Sequence, residues 1–252
     1  MPLPKPVPEG AADAADSTEP QPKRKPSTGG RKSGATFYEI DGEVPVTWSG
    51  AEIAAARAAC VPLLEGLDIG YKPEDAIGGP EGCGAAAPIE VSKIVGVAIR
   101  PPATLNCKFT GVLHKWARGA LQQAAKAALN DRIVSVNNVA SYTCRKTRGD
   151  GSRRLSEHAL TNALDIAGFK LKSGDTVSVS DDWGPTGATS DGRSGHDDEE
   201  EDALSAKATF LRYVHESACE VFSTVLGPDH NVLHKDHFHF DHGRGGRYGL
   251  CH

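Results

Sequence analysis

The sequence predicts an α+β protein in which helices pack on a small, mainly antiparallel sheet. Helical segments with an apolar stripe mix with short β-branched runs, without a regular strand–helix–strand order. Hydrophobic residues make up 38% of the 252 residues, which is enough to build one good-sized domain. These features favour helices on one face of a sheet over the parallel sheet of an α/β fold.

The N-terminal half of the predicted domain contains a helix and a strand. Ser49 followed by Glu52 matches a capping box, and apolar residues then recur at helical spacing. Pro62 should end or kink this helix one or two residues earlier. Residues 93–99 (KIVGVAI) are rich in β-branched residues and predict a strand that stops at Pro101–Pro102.

The C-terminal half supplies two helices and two strands. Residues 108–129 predict a long amphipathic helix, and residues 132–142 predict a strand after it. Residues 210–222 carry apolar side chains at helical spacing and predict a further helix. Residues 237–241 (HFHFD) alternate polar and apolar residues, as a half-buried strand does.

Two polar segments lie outside this pattern. Residues 1–36 are rich in Pro, Ala, Gly and charge and predict a disordered tail before a domain at 37–252, and this tail lacks the apolar core of a signal peptide. Residues 184–202 predict an acidic loop insertion. No apolar run is long enough to span a membrane, and a net charge of -5 argues against nucleic-acid binding. We expect a monomer.

Six cysteines are spread along the domain, and none forms a C-x-x-C pair. The even number and wide spacing favour disulfides and an oxidising compartment, while six buried thiols are the alternative. Sequence alone does not fix the pairing. Joining neighbours along the chain predicts Cys60–Cys83, Cys107–Cys144 and Cys219–Cys251.

Two motifs carry the residues suited to metal chemistry. In the predicted strand HFHFD, His237, His239 and Asp241 share one face, although such a face is more often merely solvated. In HALTNALD, His158 is followed by Asp165, whose apolar neighbours make an ionised carboxylate unfavourable unless it is paired or metal-bound. A hydrogen bond to the backbone or to a nearby arginine would satisfy this carboxylate equally well.

Together the motifs supply His158, Asp165 and one histidine of the H-x-H sequence. Two histidines and a carboxylate with an open fourth position form the ligand set of a catalytic Zn²⁺. Zinc would activate water for attack on a carbonyl, and a neighbouring base would move the proton to the leaving amine. The candidates for this base are Asp236, His234 and His237.

The H-x6-D motif followed far downstream by H-x-H resembles the LAS metallopeptidases. The stretches SYTCR, RLSEHALTNALDIAGF and HKDHFHFD are still more similar to the bacterial extensin-like C-terminal domain family, over about residues 50–252. This resemblance implies a LAS-like fold and a zinc site with His158, Asp165 and His239 as ligands. It places His237 beside the metal as a proton-transfer group.

At some positions this chain differs from the family pattern, or the resemblance leaves the role of the residue open. Many relatives have Glu three residues before the last ligand, where this chain has the shorter Asp236, so His234 and His237 stay open as the base. Arg145 occupies a place similar to that of an arginine that polarises the substrate carbonyl or binds a carboxylate. An exposed loop arginine without a catalytic role is the alternative.

The resemblance implies a zinc-dependent peptidase that hydrolyses amide bonds of peptidoglycan peptides or cross-links, in the periplasm or secreted. Its partner would be the peptidoglycan peptide. A different class of function is a non-catalytic wall-binding or structural domain that keeps the metal as a staple. A third is a protein whose histidines bind no metal, which metal analysis would reveal.

Overall fold

A nine-stranded sheet, with helices packed on one face, forms the centre of the fold. The computed structural model describes residues 47–147, 154–185, 204–246 and 249–252. The predicted tail at 1–36 lies outside the described residues, and so does the predicted acidic insertion except for its first two residues.

The helices begin with α1 (Gly50–Leu64), α2 (Cys107–Trp116) and α3 (Gln122–Leu129). They continue with α4 (Val179–Asp182) and α5 (Ala206–Cys219). Short 3-10 turns lie at Pro80–Gly82, Glu157–Leu160, Val232–His234 and Gly243–Gly246.

The first strands are β1 (Ile69–Pro73), β2 (Ile77–Gly78), β3 (Gly84–Ala85), β4 (Ile89–Ile94), β5 (Val97–Leu105) and β6 (Ile133–Ala140). The remaining strands are β7 (Ala163–Leu171), β8 (Thr176–Ser178), β9 (Thr224–Leu226), β10 (Phe238–Asp241) and β11 (Leu250–Cys251).

The main sheet has the strand order β1-β4-β5-β6-β7-β10-β9-β11, and β8 pairs with β7. Neighbouring strands run antiparallel except for the parallel pairs β5–β6 and β9–β11. The predicted α+β class with a mainly antiparallel sheet is therefore confirmed. The central strands β7 and β10 carry Asp165 and His239, two of the candidate site residues.

The hydrophobic core lies between the sheet and the helices α2, α3 and α5. At its centre Phe240 stacks on Phe222, with ring centroids 4.9 Å apart, and Trp116 meets Phe240 edge-on at 5.3 Å. Phe238 and Phe240 are both fully buried, as the alternation in HFHFD predicted, but the strand is not half-buried, because His239 and Asp241 on the other face are buried as well. This packing fixes the register of β10 and, with it, the direction of the intervening histidine side chain.

The predicted helices are present, with three differences in detail. The helix predicted from Phe210 to Phe222, with a stop expected near Gly227–Pro228, ends at Cys219, and the chain then forms β9. The capping box of Ser49 and Glu52 forms as predicted, but α1 continues through Pro62 to Leu64 instead of ending near Cys60. The helix predicted at 108–129 runs from α2 into α3 through a π-helical turn at Ala117–Leu121. The helices thus form where the sequence shows helical periodicity. Pro62 alone does not end α1.

The prediction of one strand at 93–99 is wrong, because this run forms a hairpin between β4 and β5. Val95 and Gly96 make the turn with φ values of 48° and 76°. Positive φ at both turn residues matches the twist of a two-residue hairpin, although valine is rarely placed there. The second strand also continues past Pro101–Pro102, where its pairing with β6 has already ended at Arg100.

All six cysteines are paired, which confirms the predicted disulfides. Cys219–Cys251 has the predicted pairing, whereas the two other predicted pairings are wrong. The bonds formed are Cys60–Cys107 and Cys83–Cys144. They overlap along the chain because α1 lies against α2 and the segment after β6 returns to the β2–β3 hairpin.

Among the described residues, no helix is both long and apolar enough to cross a lipid bilayer.

Candidate metal centre

Strands β7 and β10 place Asp165 and His239 side by side. The two residues are direct cross-strand partners in the antiparallel ladder, and their neighbours Ile166 and Phe238 pair in the same way. Ile166 and Phe238 face the core and are fully buried. Because side chains alternate along a strand, this arrangement turns Asp165 and His239 together toward the opposite face.

His158 reaches the same point from the 3-10 turn that precedes β7. The side chain of Ser156 caps this turn by accepting a hydrogen bond from the His158 backbone N–H at 3.4 Å. The turn ends at Thr161, in the left-handed region with φ 53°, and the chain then enters β7. This change from a 3-10 turn to a strand within HALTNALD folds His158 back over Asp165.

Three possible ligand atoms converge at this point. His158 Nε2 lies 3.1 Å from Asp165 Oδ1 and 3.1 Å from His239 Nδ1. His239 Nδ1 lies 2.9 Å from Asp165 Oδ1. Atoms that bind zinc tetrahedrally at the usual bond lengths are about 3.3 Å apart, so small outward shifts of these side chains would make room for the ion. The three residues are all buried.

The outer nitrogen of each imidazole is already hydrogen-bonded to an oxygen atom. His158 Nδ1 lies 2.5 Å from the backbone oxygen of Ser141, and His239 Nε2 lies 3.0 Å from Asp241 Oδ2. When both outer nitrogens donate these bonds, His158 Nε2, His239 Nδ1 and Asp165 Oδ1 are all acceptors. Three acceptors in mutual contact require a cation among them, and oxygen partners behind the rings are typical of metal-bound histidines.

Charges at the centre agree with this requirement. Burial would raise the pKa of Asp165, but its hydrogen bonds with His158 and His239 outweigh burial and hold that pKa far below the usual range. Burial would lower the pKa of His239, but hydrogen bonds with Asp165 and Asp241 outweigh burial and raise that pKa to about 9. Without a metal, the protonated, positively charged imidazole of His239 is the cation at this point.

His237 stands next to the three converging side chains but is oriented by Asp236. His237 Nδ1 donates to Asp236 Oδ1 over 2.8 Å, and its Nε2 lies 3.7 Å from Asp165 Oδ2. The Asp236 side chain is largely exposed, whereas that of His237 is only 17% exposed. The structure therefore pairs two of the three predicted base candidates and turns the free nitrogen of His237 toward the centre.

His234 lies farther from the centre and is held by another residue. Its Nδ1 is 2.9 Å from Asn231 Oδ1, and its ring centroid is 6.1 Å from that of His239. Burial, and then the neighbouring His239 and His237 rings, lower the pKa of His234 to about 4. This imidazole is consequently neutral around neutral pH.

Arg145 is connected to the site through the backbone. Its carbonyl oxygen accepts a hydrogen bond from the N–H of Ser156 at 3.0 Å, two residues before His158. Arg145 is half-buried and takes part in at least one further interaction. The predicted role of Arg145 in binding the substrate carbonyl or carboxylate stays a prediction.

The centre opens into a groove of about 860 Å³, to which Asp165, Asp236 and His237 all contribute. In the part of the chain that the structure describes, no fourth His, Cys, Asp or Glu joins His158, Asp165 and His239 as a ligand group. Of these three residues, Asp165 is the one that also lines the groove.

Comparison with known proteins places the chain in a family. A family model described as "Extensin-like protein C-terminus" matches residues 58–252. The chain belongs to this family. No curated protein and no solved structure matches the chain. Family membership confirms the predicted resemblance at this level, and the relation to LAS metallopeptidases stays a prediction.

A second group of potential ligands in this extensin-like domain does not qualify as a metal site. His215, Cys219 and Cys251 lie close together, but the two cysteines form a disulfide and have no thiolate to offer. Within the described residues, the centre at His158 is consequently the stronger candidate for a metal.

Sequence reasoning assigned no role to three groups that support the site in this extensin-like domain. Asp241 holds His239, the carbonyl of Ser141 holds His158, and Asn231 holds His234. The position of Asp241, two residues after His239 on the same strand face, was a signal that could have revealed its role. A backbone carbonyl such as that of Ser141 leaves no signal in the sequence.

Proposed function

We propose that this extensin-like domain is a zinc-dependent peptidase that hydrolyses amide bonds of peptidoglycan peptides. The observation that carries the proposal is the convergence of His158, Asp165 and His239 beside a groove that is lined by Asp165 and by the Asp236–His237 pair. Two neutral imidazoles and one carboxylate are the donor set of catalytic zinc sites, which keep one position for water or substrate. Peptidoglycan as the substrate rests on the resemblance to LAS metallopeptidases.

Zinc at this centre would supply a Lewis acid that polarises the scissile carbonyl and makes an attacking water molecule more acidic. The chain's own residues hold the ligands in place: Asp241 and the Ser141 carbonyl fix the ring orientation of His239 and His158. Both rings are thereby preset with their lone pairs toward Asp165, so little reorganisation is needed when the ion binds.

The geometry favours His237 as the proton-transfer group. Its Nδ1–H is donated to Asp236, which leaves the Nε2 lone pair directed to the side of Asp165 that faces the groove. In this role His237 takes a proton from the attacking water and returns it to the leaving amine. Asp236 then acts through His237 as a positioning residue, which also explains how an aspartate suffices where relatives have glutamate.

A periplasmic or secreted location is part of the proposal and is supported by the three disulfides. Disulfides persist in oxidising compartments and are rare in a reducing cytosol.

A second candidate function is a wall-binding or structural domain in which the metal is only a staple. The burial of the three ligands favours it, since an ion there would tie the 3-10 turn Glu157–Leu160 to β7 and β10. The two candidates differ in what happens to bound peptides. A staple needs neither His237 nor a groove, whereas a peptidase needs both.

The test is digestion of purified muropeptides by the zinc-supplemented protein, followed by chromatography of the products. The wild type should yield new fragments, His158→Ala should yield none, and His237→Gln should slow cleavage about 10²- to 10⁴-fold while keeping zinc. His230→Gln, which alters an exposed imidazole outside the centre, is the matched control. Identical product profiles for the wild type and His158→Ala refute the peptidase. Binding to intact sacculi without cleavage supports the staple.

A further inference from the structure

The groove extends from the candidate metal centre across the face of the sheet that the helices leave open. Arg100 on β5 pairs with Asn137 on β6, and Asn137 pairs with Gly168 on β7, so these residues form one row across the strands. Arg100 and Asn137 are exposed and line the groove, as does Lys170 farther along β7. The groove thus has a floor of strand residues well beyond the metal centre.

Charge is divided between the two ends of the groove. The only carboxylates among the described residues that line it are Asp165 and Asp236, and both lie at the metal end. Arg100 and Lys170, the only Arg or Lys residues in the described lining, lie away from Asp165: Lys170 is five residues along β7, and Arg100 is on β5, two strands from β7. A ligand that lies along the floor would meet a cation site at one end and two positive side chains at the other.

Both basic side chains are available to a ligand. Arg100 and Lys170 are exposed, and neither forms an ion pair with any residue that the structure describes. The floor between the acidic and basic ends carries neutral polar groups, including Asn137 and Ser178. Neutral polar groups can bond to a peptide backbone without neutralising the two cations.

The metal end of the groove has an apolar rim. Val139 is 53% exposed and Leu233 is 45% exposed, and both line the groove; Val139 precedes Ala140, the cross-strand partner of Asp165, and Leu233 lies three residues before Asp236. These two aliphatic side chains supply apolar contact area at this end of the groove. They suit small apolar side chains on the ligand residues that flank the metal centre.

The strand ladder sets the distance between the two ends. Gly168 is three residues from Asp165 along β7, which corresponds to about 10 Å at ~3.4 Å per residue. Arg100 lies two strands away from Gly168, which is about another 10 Å across the sheet. Because one step runs along the strand and the other across it, the direct separation is shorter than the sum of the two, and the arginine side chain reaches over part of it. An extended peptide would therefore span the gap with about three to four residues.

We propose that the groove binds an extended peptide with small apolar residues at the metal centre and a carboxylate about three to four residues away, held by Arg100 and Lys170. Guanidinium suits this task because it stays charged and can bind a carboxylate through two hydrogen bonds. The inference rests on the proposed peptidase function for its substrate, and it makes Arg100 and Lys170 determinants of specificity outside the metal centre.

The test measures binding of fluorescently labelled alanine peptides that carry one glutamate near either end, by anisotropy in the presence of EDTA. EDTA removes metal and turnover from the readout. Of the two glutamate peptides, the wild type should prefer the one whose carboxylate reaches Arg100 and Lys170. It should bind this peptide about three- to tenfold more tightly than the peptide with glutamine at the same position, which is the range expected for two exposed ion pairs. The double variant Arg100→Gln/Lys170→Gln should lose this preference.

Matched controls are Arg132→Gln and Lys172→Gln, which remove exposed basic residues outside the groove. They should keep the glutamate preference of the wild type, and the thermal unfolding curves of all variants should coincide. Equal affinity of the wild type for glutamate and glutamine peptides overturns the inference. A preference that survives in the double variant, or that disappears in the controls, overturns it as well.

The outcome is independent of the muropeptide digestion. If zinc-loaded wild type cleaves muropeptides but shows no glutamate preference, the peptidase stands and the carboxylate site fails. If the preference is present but neither peptide nor muropeptide is cleaved, the groove stands and the peptidase fails.

Discussion

Replacing Asp241 with asparagine should weaken zinc binding without removing a ligand. Asp241 Oδ2 accepts from His239 Nε2 at 3.0 Å, and its Oδ1 accepts from the backbone N–H of Gly243 at 2.9 Å. An asparagine has only one acceptor oxygen, so its amide N–H₂ must face either the histidine N–H or the backbone N–H. One of these two buried donors loses its partner, and the imidazole loses the negative charge that raises its basicity.

The expected effect is a zinc Kd about 10- to 100-fold higher, because removing such a partner of a metal-bound histidine typically has this consequence. In free energy this corresponds to about 1.4–2.7 kcal/mol. Competition with a chromophoric chelator measures the Kd directly. Asp236→Asn is the control, since Asp236 contacts His237 and none of the three ligands.

An Asp241→Asn protein that folds normally and keeps the wild-type Kd would refute the reasoning. It would mean that the hydrogen bond behind His239 does not set the ligand's orientation or basicity. An equal loss of zinc affinity in Asp236→Asn and Asp241→Asn would also contradict it. The loss would then come from removing a negative charge near the site and not from the hydrogen bond to His239.

Three further predictions concern stability, measured as the free energy of unfolding in urea. Phe240→Ala should cost about 3–5 kcal/mol, because Phe240 is fully buried against Phe222 and Trp116, and a loss below about 1 kcal/mol would contradict this packing. Replacing Cys83 and Cys144 with alanine should lower the free energy of unfolding by about 2–4 kcal/mol, because the unfolded chain without this disulfide gains conformational entropy. An unchanged urea midpoint would contradict this prediction. Burial lowers the pKa of His215, against a weaker opposing hydrogen bond to the His252 carbonyl, so the unfolded state binds more protons in mild acid. Stability should therefore fall from about pH 7 to about pH 5, and His215→Gln should flatten this slope.

Local patterns in the sequence were sufficient for the long elements. The Ser49–Glu52 capping box, the helical periodicity of residues 108–129 and the alternation of HFHFD each reflect interactions between near neighbours in the sequence. The hairpin at Val95–Gly96 was missed because valine is a poor signal for a turn with positive φ. Strands of two or three residues, such as β9 and β11, are too short to show a period.

Contacts between distant segments were harder to predict. Two of the three disulfides join overlapping loops, so pairing neighbours along the chain gave the wrong partners for four cysteines: Cys60, Cys83, Cys107 and Cys144. For the candidate site, chemistry narrowed the choice to a few histidines and one buried aspartate, and the resemblance selected His239 within the H-x-H motif. The strand register then brings His239 opposite Asp165, which no local pattern could specify.

The most direct test of the metal centre is the zinc content of purified protein, measured by mass spectrometry of the metal. The wild type should carry about one zinc per chain, as should His237→Gln, whereas His158→Ala should lose it. Wild type that stays free of zinc when supplied with excess metal, or His158→Ala that retains a full equivalent, would contradict the assignment of His158, Asp165 and His239 as a metal centre.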